Sequence, residues 1–113
     1  MATNYAQYVQ DGEGIDYTPA ADTPAGTVVV QGNLIGVTKK PIDANTLGTI
    51  AVEGVFDFPK STAAGSGIVA GSTVYWDAVN NVATATAGAN TMIGKTIMAA
   101  ADADVTVRVR LHQ

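Results

Sequence analysis

With 113 residues, the chain is long enough for one domain with a single modest core and too short for two ordinary domains. Only 14% of the residues are charged, and the formal net charge of −4 argues against a surface that follows the phosphates of a nucleic acid. The chain contains no cysteine, which excludes a disulfide framework, thiolate catalysis and a Cys-ligated zinc site.

The hydrophobic residues, 47% of the chain, are largely Ala and Val, and this composition favours sheet over a helical bundle. No window approaches the roughly 20 apolar residues of a membrane span, and the first residues lack a basic region followed by an apolar run. We therefore expect a soluble product made in the cytoplasm, with neither a membrane nor nucleic acid as a partner.

Residues 1–22 predict an N-terminal arm, and residues 23–113 predict a single β domain. The arm carries small and polar residues around Tyr5, Tyr8 and Tyr17, and the helical spacing of Tyr5 and Tyr8 comes without a cap. A loosely held arm is one interpretation. We favour an arm that becomes ordered on a partner, because a partner explains exposed tyrosines better than solvent does.

Short β-like stretches alternate with Gly, Pro, Asn and Asp in the rest of the chain, at residues 27–30, 34–38, 49–58, 73–77, 82–86, 92–98 and 105–111. Their regular spacing predicts an all-β fold, a small β-barrel or sandwich of short, mostly antiparallel strands. Residues 61–71 are rich in Ala, Gly and Ser, which is typical of a flexible connection.

Two of these stretches indicate which side chains enter the core. Residues 49–58 place on one face Ile50, Val52, Phe56 and Phe58. Gly54 between them marks a bulge or bend. The last stretch places inward Val105, Val107, Val109 and Leu111.

Residues 71–77, GSTVYWD, contain the single tryptophan and run toward Asn80 and Asn81. They predict a strand that enters a two-residue hairpin turn. Val74 and Trp76 share one face of this strand, which we expect to be core. Tyr75 lies on the other face, which should meet water or a partner.

The most tempting chemical motif is the stretch 89–96, ANTMIGKT, which fits a relaxed phosphate-loop pattern. A phosphate loop needs glycines that let backbone N–H groups wrap around the phosphates, and a helix that follows. Here the first glycine is missing, and Met92 and Ile93 occupy the interior of the motif. We therefore favour a strand with Gly94 at a bulge or a close contact over a nucleotide site.

Other side chains that could support catalysis have structural explanations. His112, the only histidine, is the penultimate residue, where a solvated side chain is commoner than a base or a metal ligand. Glu53 and Asp57 lie well separated on the polar face of one predicted strand, and Asp102 and Asp104 suit a turn. The sequence therefore predicts no enzyme, no metal site and no cofactor.

The pattern as a whole resembles a family of small tailed-phage head proteins regarded as capsid cement or decoration proteins. The matching segments are residues 15–19 (IDYTP), 25–29 (AGTVV), 34–37 (LIGV), 54–60 (GVFDFPK), 71–77 (GSTVYWD), 93–94 (IG) and 105–111. Their order and spacing cover most of the chain. Ser72 is a departure, since we expect Asp or Glu at this position of the Gly-x-x-Val-Tyr-Trp-Asp signature.

The resemblance implies a β-rich homotrimer on the outer surface of the virion, where it binds the major capsid protein and stabilises contacts between capsid subunits. In that setting Tyr5, Tyr8 and Tyr17 are candidate capsid contacts. The candidates for the interface between subunits are Tyr75, Arg108 and Arg110. A structural protein of the tail or of head completion is the alternative, and a nucleotide-binding factor that uses residues 89–96 is a weaker one.

Overall fold

Short runs of β-branched and aromatic residues, bounded by Gly, Pro, Asn or Asp, form the elements of this fold. The structure is a computed structural model that describes residues 12–113, so the candidate contacts Tyr5 and Tyr8 lie outside the described residues. Within residues 12–113 there is no helix, and the all-β prediction is confirmed. The strands are β1 Gly14–Tyr17, β2 Val28–Gln31, β3 Leu34–Thr38, β4 Gly48–Ala51, β5 Gly54–Pro59, β6 Thr73–Asp77, β7 Val82–Thr84, β8 Thr91–Thr96 and β9 Thr106–Leu111.

Four strands form the first sheet, in the order β1-β4-β3-β2, and each neighbouring pair is antiparallel. β2 and β3 form a hairpin with a two-residue turn at Gly32 and Asn33, where the φ of 60° at Gly32 favours glycine. β1 lies within residues 1–22, the predicted arm, and pairs along its whole length with β4. The arm boundary at residue 22 stays a prediction.

The second sheet has five antiparallel strands in the order β5-β9-β8-β6-β7. This sheet curls, so that its two edge strands approach each other and a parallel bridge joins Lys60 to Ala83. The sheet does not close into a barrel. The two sheets instead pack as a sandwich, which is one of the two predicted architectures.

The main core lies on the inner face of the five-stranded sheet. Val74 and Trp76 are both buried there, as their alternation predicts. Phe58 is 1% exposed and meets Trp76 edge-on, with 6.2 Å between the ring centroids. Ile35 and Val37 of β3 pack into the same cluster, so the first sheet covers this core from the other side.

Two details of the predicted strands are wrong. Residues 49–58 are not one strand, because β4 and β5 belong to different sheets and the chain turns between them at Gly54, whose φ is 133°. Ile50 therefore lies in a smaller cluster with Val29 and Val52, away from Phe58 in the main core. Val105 is 68% exposed rather than inward, because the regular pairing of β9 begins only at the next residue.

The turn between β6 and β7 has four residues rather than the predicted two, since Asp77 pairs with Val82. The Asp77 Oδ1 atom accepts hydrogen bonds from the backbone N–H groups of Val79, at 3.0 Å, and Asn80, at 3.2 Å. Asn81 adopts a φ of 55°, which asparagine tolerates. A side-chain oxygen of Asp77 thus supports the turn, and this contact favours the longer loop.

The predicted close contact at Gly94 is confirmed. The pairing between β6 and β8 shifts its register between Val74 and Tyr75, which makes a bulge in β8 at this level. A side chain at Gly94 would collide with the backbone carbonyl of Arg110 on β9. Residues 91–96 therefore run as a central strand and do not wrap around a phosphate.

Candidate functional site

The outer face of the five-stranded sheet brings together the three side chains predicted for a subunit interface. Arg108 and Arg110 project from β9, and Tyr75 is half-buried on β6. The alternation of each strand puts these side chains opposite the core-facing ones. Tyr75 pairs directly with Met92 on one side and Thr84 on the other, in the cross-strand register.

Arg108 is neutralised within its own chain. Its Nε atom donates to Asp57 Oδ1 at 2.9 Å and its Nη2 atom to Asp57 Oδ2 at 3.2 Å, which is a two-pronged ion pair between neighbouring strands. The hydrogen bond from Arg108 lowers the pKa of the Asp57 carboxyl, and the same contact raises the pKa of the guanidinium. Both side chains are about half exposed, at 49% and 46%, so salt should weaken the pair.

Arg110 has a different environment, because its direct partner on β8 is Lys95. No carboxylate of the described residues lies within 4 Å of either cation. The two side chains line a groove of about 250 Å³, whose other walls are Met92, Gly94, His112 and Gln113. A shallow cationic groove with an apolar thioether at its edge is therefore part of this face.

The groove continues into a second one, of about 310 Å³, at the junction between the two sheets. Arg110 and His112 line it together with Glu13, Lys39 and Glu53. His112 Nε2 lies 3.9 Å from Glu53 Oε1, and within residues 12–113 no carboxylate lies within 4 Å of Lys39 or Arg110. Charges of both signs meet at this junction, whereas the groove beside Lys95 carries positive charge alone.

Exposed apolar side chains lie around these charges. Val55 is opposite Arg110 on the edge strand and is 54% exposed, and Met92 is 39% exposed. Ile97, whose backbone N–H donates to the Arg108 carbonyl, is 47% exposed. An uncovered sheet face that combines arginine, tyrosine, methionine and aliphatic groups has the composition of a protein interface.

A family model described as phage cement protein matches residues 9–111. The chain belongs to this phage cement family. The resemblance predicted from the sequence is thus confirmed, and membership indicates a structural protein of the virion that associates with capsid proteins. No curated protein and no solved structure matches the chain.

The third tyrosine of the predicted arm lies in the four-stranded sheet of this cement-family chain. Tyr17 ends β1 and is partly buried against the smaller cluster with Ile15. It belongs to the four-stranded sheet, whereas Tyr75 belongs to the other sheet, so the fold does not bring Tyr17 and Tyr75 onto one strand ladder.

A second polar cluster of this domain lies at one end of the five-stranded sheet. It joins Lys60 to Ser61, Ser66 and Asp102, and we call it the latch. Lys60 is 5% exposed, and its ammonium donates to the Ser61 carbonyl at 2.5 Å, the Asp102 carbonyl at 3.1 Å and Ser66 Oγ at 3.2 Å. A lysine beside a serine can activate a nucleophile only when its amine is neutral. Here all three N–H donors are directed at the Ser61 and Asp102 carbonyls and at Ser66 Oγ, so the arrangement suits a structural group.

Asp102 completes this latch from the other side. Its carboxylate accepts hydrogen bonds from the backbone N–H groups of Gly65, at 3.0 Å, and Gly67, at 2.6 Å. These two bonds, the Gly65 one foremost, lower the pKa of Asp102. The Gly- and Ser-rich segment, predicted as a flexible connection, is therefore fixed to the domain at several points. Sequence reasoning missed the latch, because Lys60 and Asp102 are 42 residues apart.

Within residues 12–113, no three carboxylate or imidazole side chains are grouped so as to hold a metal ion. The same part of the chain contains no helix long and apolar enough to cross a membrane.

Proposed function

We propose that this chain is a capsid cement protein that binds the outer surface of the assembled phage capsid and stabilises contacts between major capsid subunits. The family match over residues 9–111 is the observation that carries the proposal. A compact two-sheet domain whose buried polar groups serve its own loops supports a structural role rather than an enzymatic one.

Two surfaces have separate tasks in this proposal. The N-terminal segment, with Tyr5, Tyr8 and Tyr17, contacts the capsid lattice. The outer face of the five-stranded sheet, with Tyr75, Arg108 and Arg110, lies between the copies of a homotrimer. Because one particle carries three arms, the weak contacts of the arms with the capsid add by avidity. A contact between two capsid subunits then resists outward pressure without any single tight bond to the cement protein.

Sedimentation with capsids tests the proposed function. The purified protein is mixed with expanded and with unexpanded capsids, and each mixture is pelleted. We expect the protein to pellet with expanded capsids only. Failure to pellet with either form, together with binding to purified tail components, would instead favour a protein of the tail or of head completion.

A truncation tests the role of the N-terminal segment. The deletion should remove residues 2–11 and stop there, because Glu13 accepts a hydrogen bond from the Val52 N–H and Gly14 begins β1. We expect this variant to keep its circular dichroism spectrum and to lose capsid binding. The double variant Tyr5→Ala, Tyr8→Ala, which keeps the length of the segment, should show the same loss. Unchanged binding of the truncated chain would refute the role of the arm.

A further inference from the structure

Lys95 and Arg110 form an uncompensated pair of like charges on the outer face of the five-stranded sheet. They are direct cross-strand partners on β8 and β9, where like charges destabilise a sheet. Neither has a carboxylate of residues 12–113 within 4 Å. Binding of a negative group beside these two exposed cations would offset their repulsion and stabilise the sheet.

The carboxylates of the second half of the chain are all used internally. Residues 54–113 contain four acidic and four basic residues, so this half is neutral overall. The Asp57 carboxylate binds the Arg108 guanidinium, and the Asp77 carboxylate binds the turn after β6. The Asp102 carboxylate binds the glycine-rich loop, and the Asp104 carboxylate accepts a hydrogen bond from the Ala101 N–H. Lys60 is buried in the latch, so the exposed cations left over are Lys95 and Arg110.

The first half of the chain has an excess of negative charge. Residues 12–53 contain five acidic residues and two lysines. Within the described residues, the carboxylates of Asp16 and Asp43 are exposed and have neither a cation within 4 Å nor a hydrogen bond. Asp16 stands on β1, which is an edge strand of the four-stranded sheet in the part of the chain that the structure describes.

The symmetry of a trimer decides how such patches combine. A two-fold contact uses the same surface on both copies, and a groove that lay on the two-fold axis would bring the Lys95 and Arg110 cations of two copies together. A ring of three copies instead requires two different patches, one donated by each neighbour. The chain offers a cationic groove on one sheet and the exposed Asp16 carboxylate on the other, and this pairing suits a head-to-tail ring.

We propose that the groove beside Lys95 and Arg110 receives the acidic β1 edge, around Asp16, of a second copy of this chain. This inference rests on the proposed function, whose homotrimer it explains. The contact neutralises the like-charge pair and covers Val55 and Met92, which are exposed in the single chain. Repetition of the contact around a three-fold axis closes the ring.

Charge reversal with a matched control tests this contact. Lys95→Glu and Lys40→Glu each replace one exposed lysine and change the net charge equally, but only Lys95 lies in the groove. The particle mass of each variant is measured by sedimentation equilibrium over a range of concentrations. We expect Lys95→Glu to raise the dissociation constant of the trimer by about tenfold or more, and Lys40→Glu to leave it within about twofold.

A melting experiment separates this effect from a damaged fold. Glutamate at position 95 would face Arg110 and convert a like-charge pair into an opposite-charge pair, which should raise the melting temperature of the monomer. Asp16→Lys should weaken association as Lys95→Glu does. The double variant Asp16→Lys, Lys95→Glu restores the original net charge and removes the repulsion between the lysine introduced at position 16 and Lys95, so it should associate more tightly than Asp16→Lys alone.

Several outcomes would overturn the inference. A wild-type protein that stays monomeric at all accessible concentrations, or a Lys95→Glu variant that associates as the wild type does, would exclude the contact. A double variant that associates no more tightly than Asp16→Lys alone would exclude Asp16 as the counterpart. Association of Lys95→Glu with wild type but not with itself would indicate a two-fold contact instead. In each case pelleting with capsids tests the proposed function separately.

Discussion

Replacing Phe58 by alanine would remove the largest of the fully buried side chains of this domain. The ring is 1% exposed and lies edge-on to Trp76, at 6.2 Å, and to Phe56, at 6.4 Å. Loss of a buried phenylalanine costs about 3–5 kcal/mol of unfolding free energy, because transfer energy is lost and a cavity remains. A domain of this size has a total stability of about 5–15 kcal/mol, so the variant should be close to the limit of folding.

Urea unfolding followed by tryptophan fluorescence measures this loss, since Trp76 is the only tryptophan and touches the cavity. At about 4 °C per kcal/mol, the melting temperature should fall by roughly 12–20 °C. Phe56→Ala is the matched control, because Phe56 is on the same strand but only partly buried, and it should cost about 1–2 kcal/mol. All variants are compared at one protein concentration, since association also stabilises the fold.

The reasoning would be refuted if Phe58→Ala lost less than about 1 kcal/mol of unfolding free energy. It would also be refuted if Phe56→Ala lost more than Phe58→Ala does. Either result would mean that the ring of Phe58 is not enclosed by the five-stranded sheet and by β3, as the structure has it.

Three further predictions concern Gly94, Asp102 and Tyr75. Gly94→Ala should lower the unfolding free energy by about 2 kcal/mol or more in urea titrations, because β8 must move away from the Arg110 carbonyl; a loss below about 1 kcal/mol would contradict the close contact. The pKa of Asp102 is lowered in the folded chain, so its contribution is full at neutral pH and is lost as the pH falls through the folded pKa. Asp102→Asn should therefore destabilise the chain at pH 7 and approach the wild type below about pH 4, whereas a constant difference between pH 7 and 3 would count against the latch. Tyr75→Ala should lower the free energy of association, measured by sedimentation equilibrium, by more than it lowers the unfolding free energy of the monomer. A larger loss of unfolding free energy than of association free energy would exclude Tyr75 from the subunit interface.

Local signals in the sequence were sufficient for the fold class and for much of the core. Alternation placed Val74, Trp76 and Val107 inward, because side chains of a strand point to opposite faces with a period of two. Glycine at position 94 also indicated a close approach before its neighbour was known. These predictions succeed because each depends on only a few consecutive residues.

Non-local contacts were beyond such signals. The break of residues 49–58 into two strands depends on which distant segments pair with each half, and Gly54 permits either a bulge or a crossing between sheets. Val105 was predicted to be buried in the core but is exposed, for a related reason. The alternation of residues does not show at which residue the pairing of a strand begins. Strand register is chosen by burial over the whole domain.

The sequence by itself determined that this is an all-β chain of the phage cement family, because composition, turn residues and the order of its short motifs are properties of the chain alone. Only the tertiary structure decided which charges meet. The pairing of Lys95 with Arg110 and the enclosure of Lys60 by the Asp102 loop each join residues that lie far apart in sequence. Interactions between exposed charges are largely screened beyond about 10 Å of distance in space, so strand pairing decides which charges interact, and position along the chain does not.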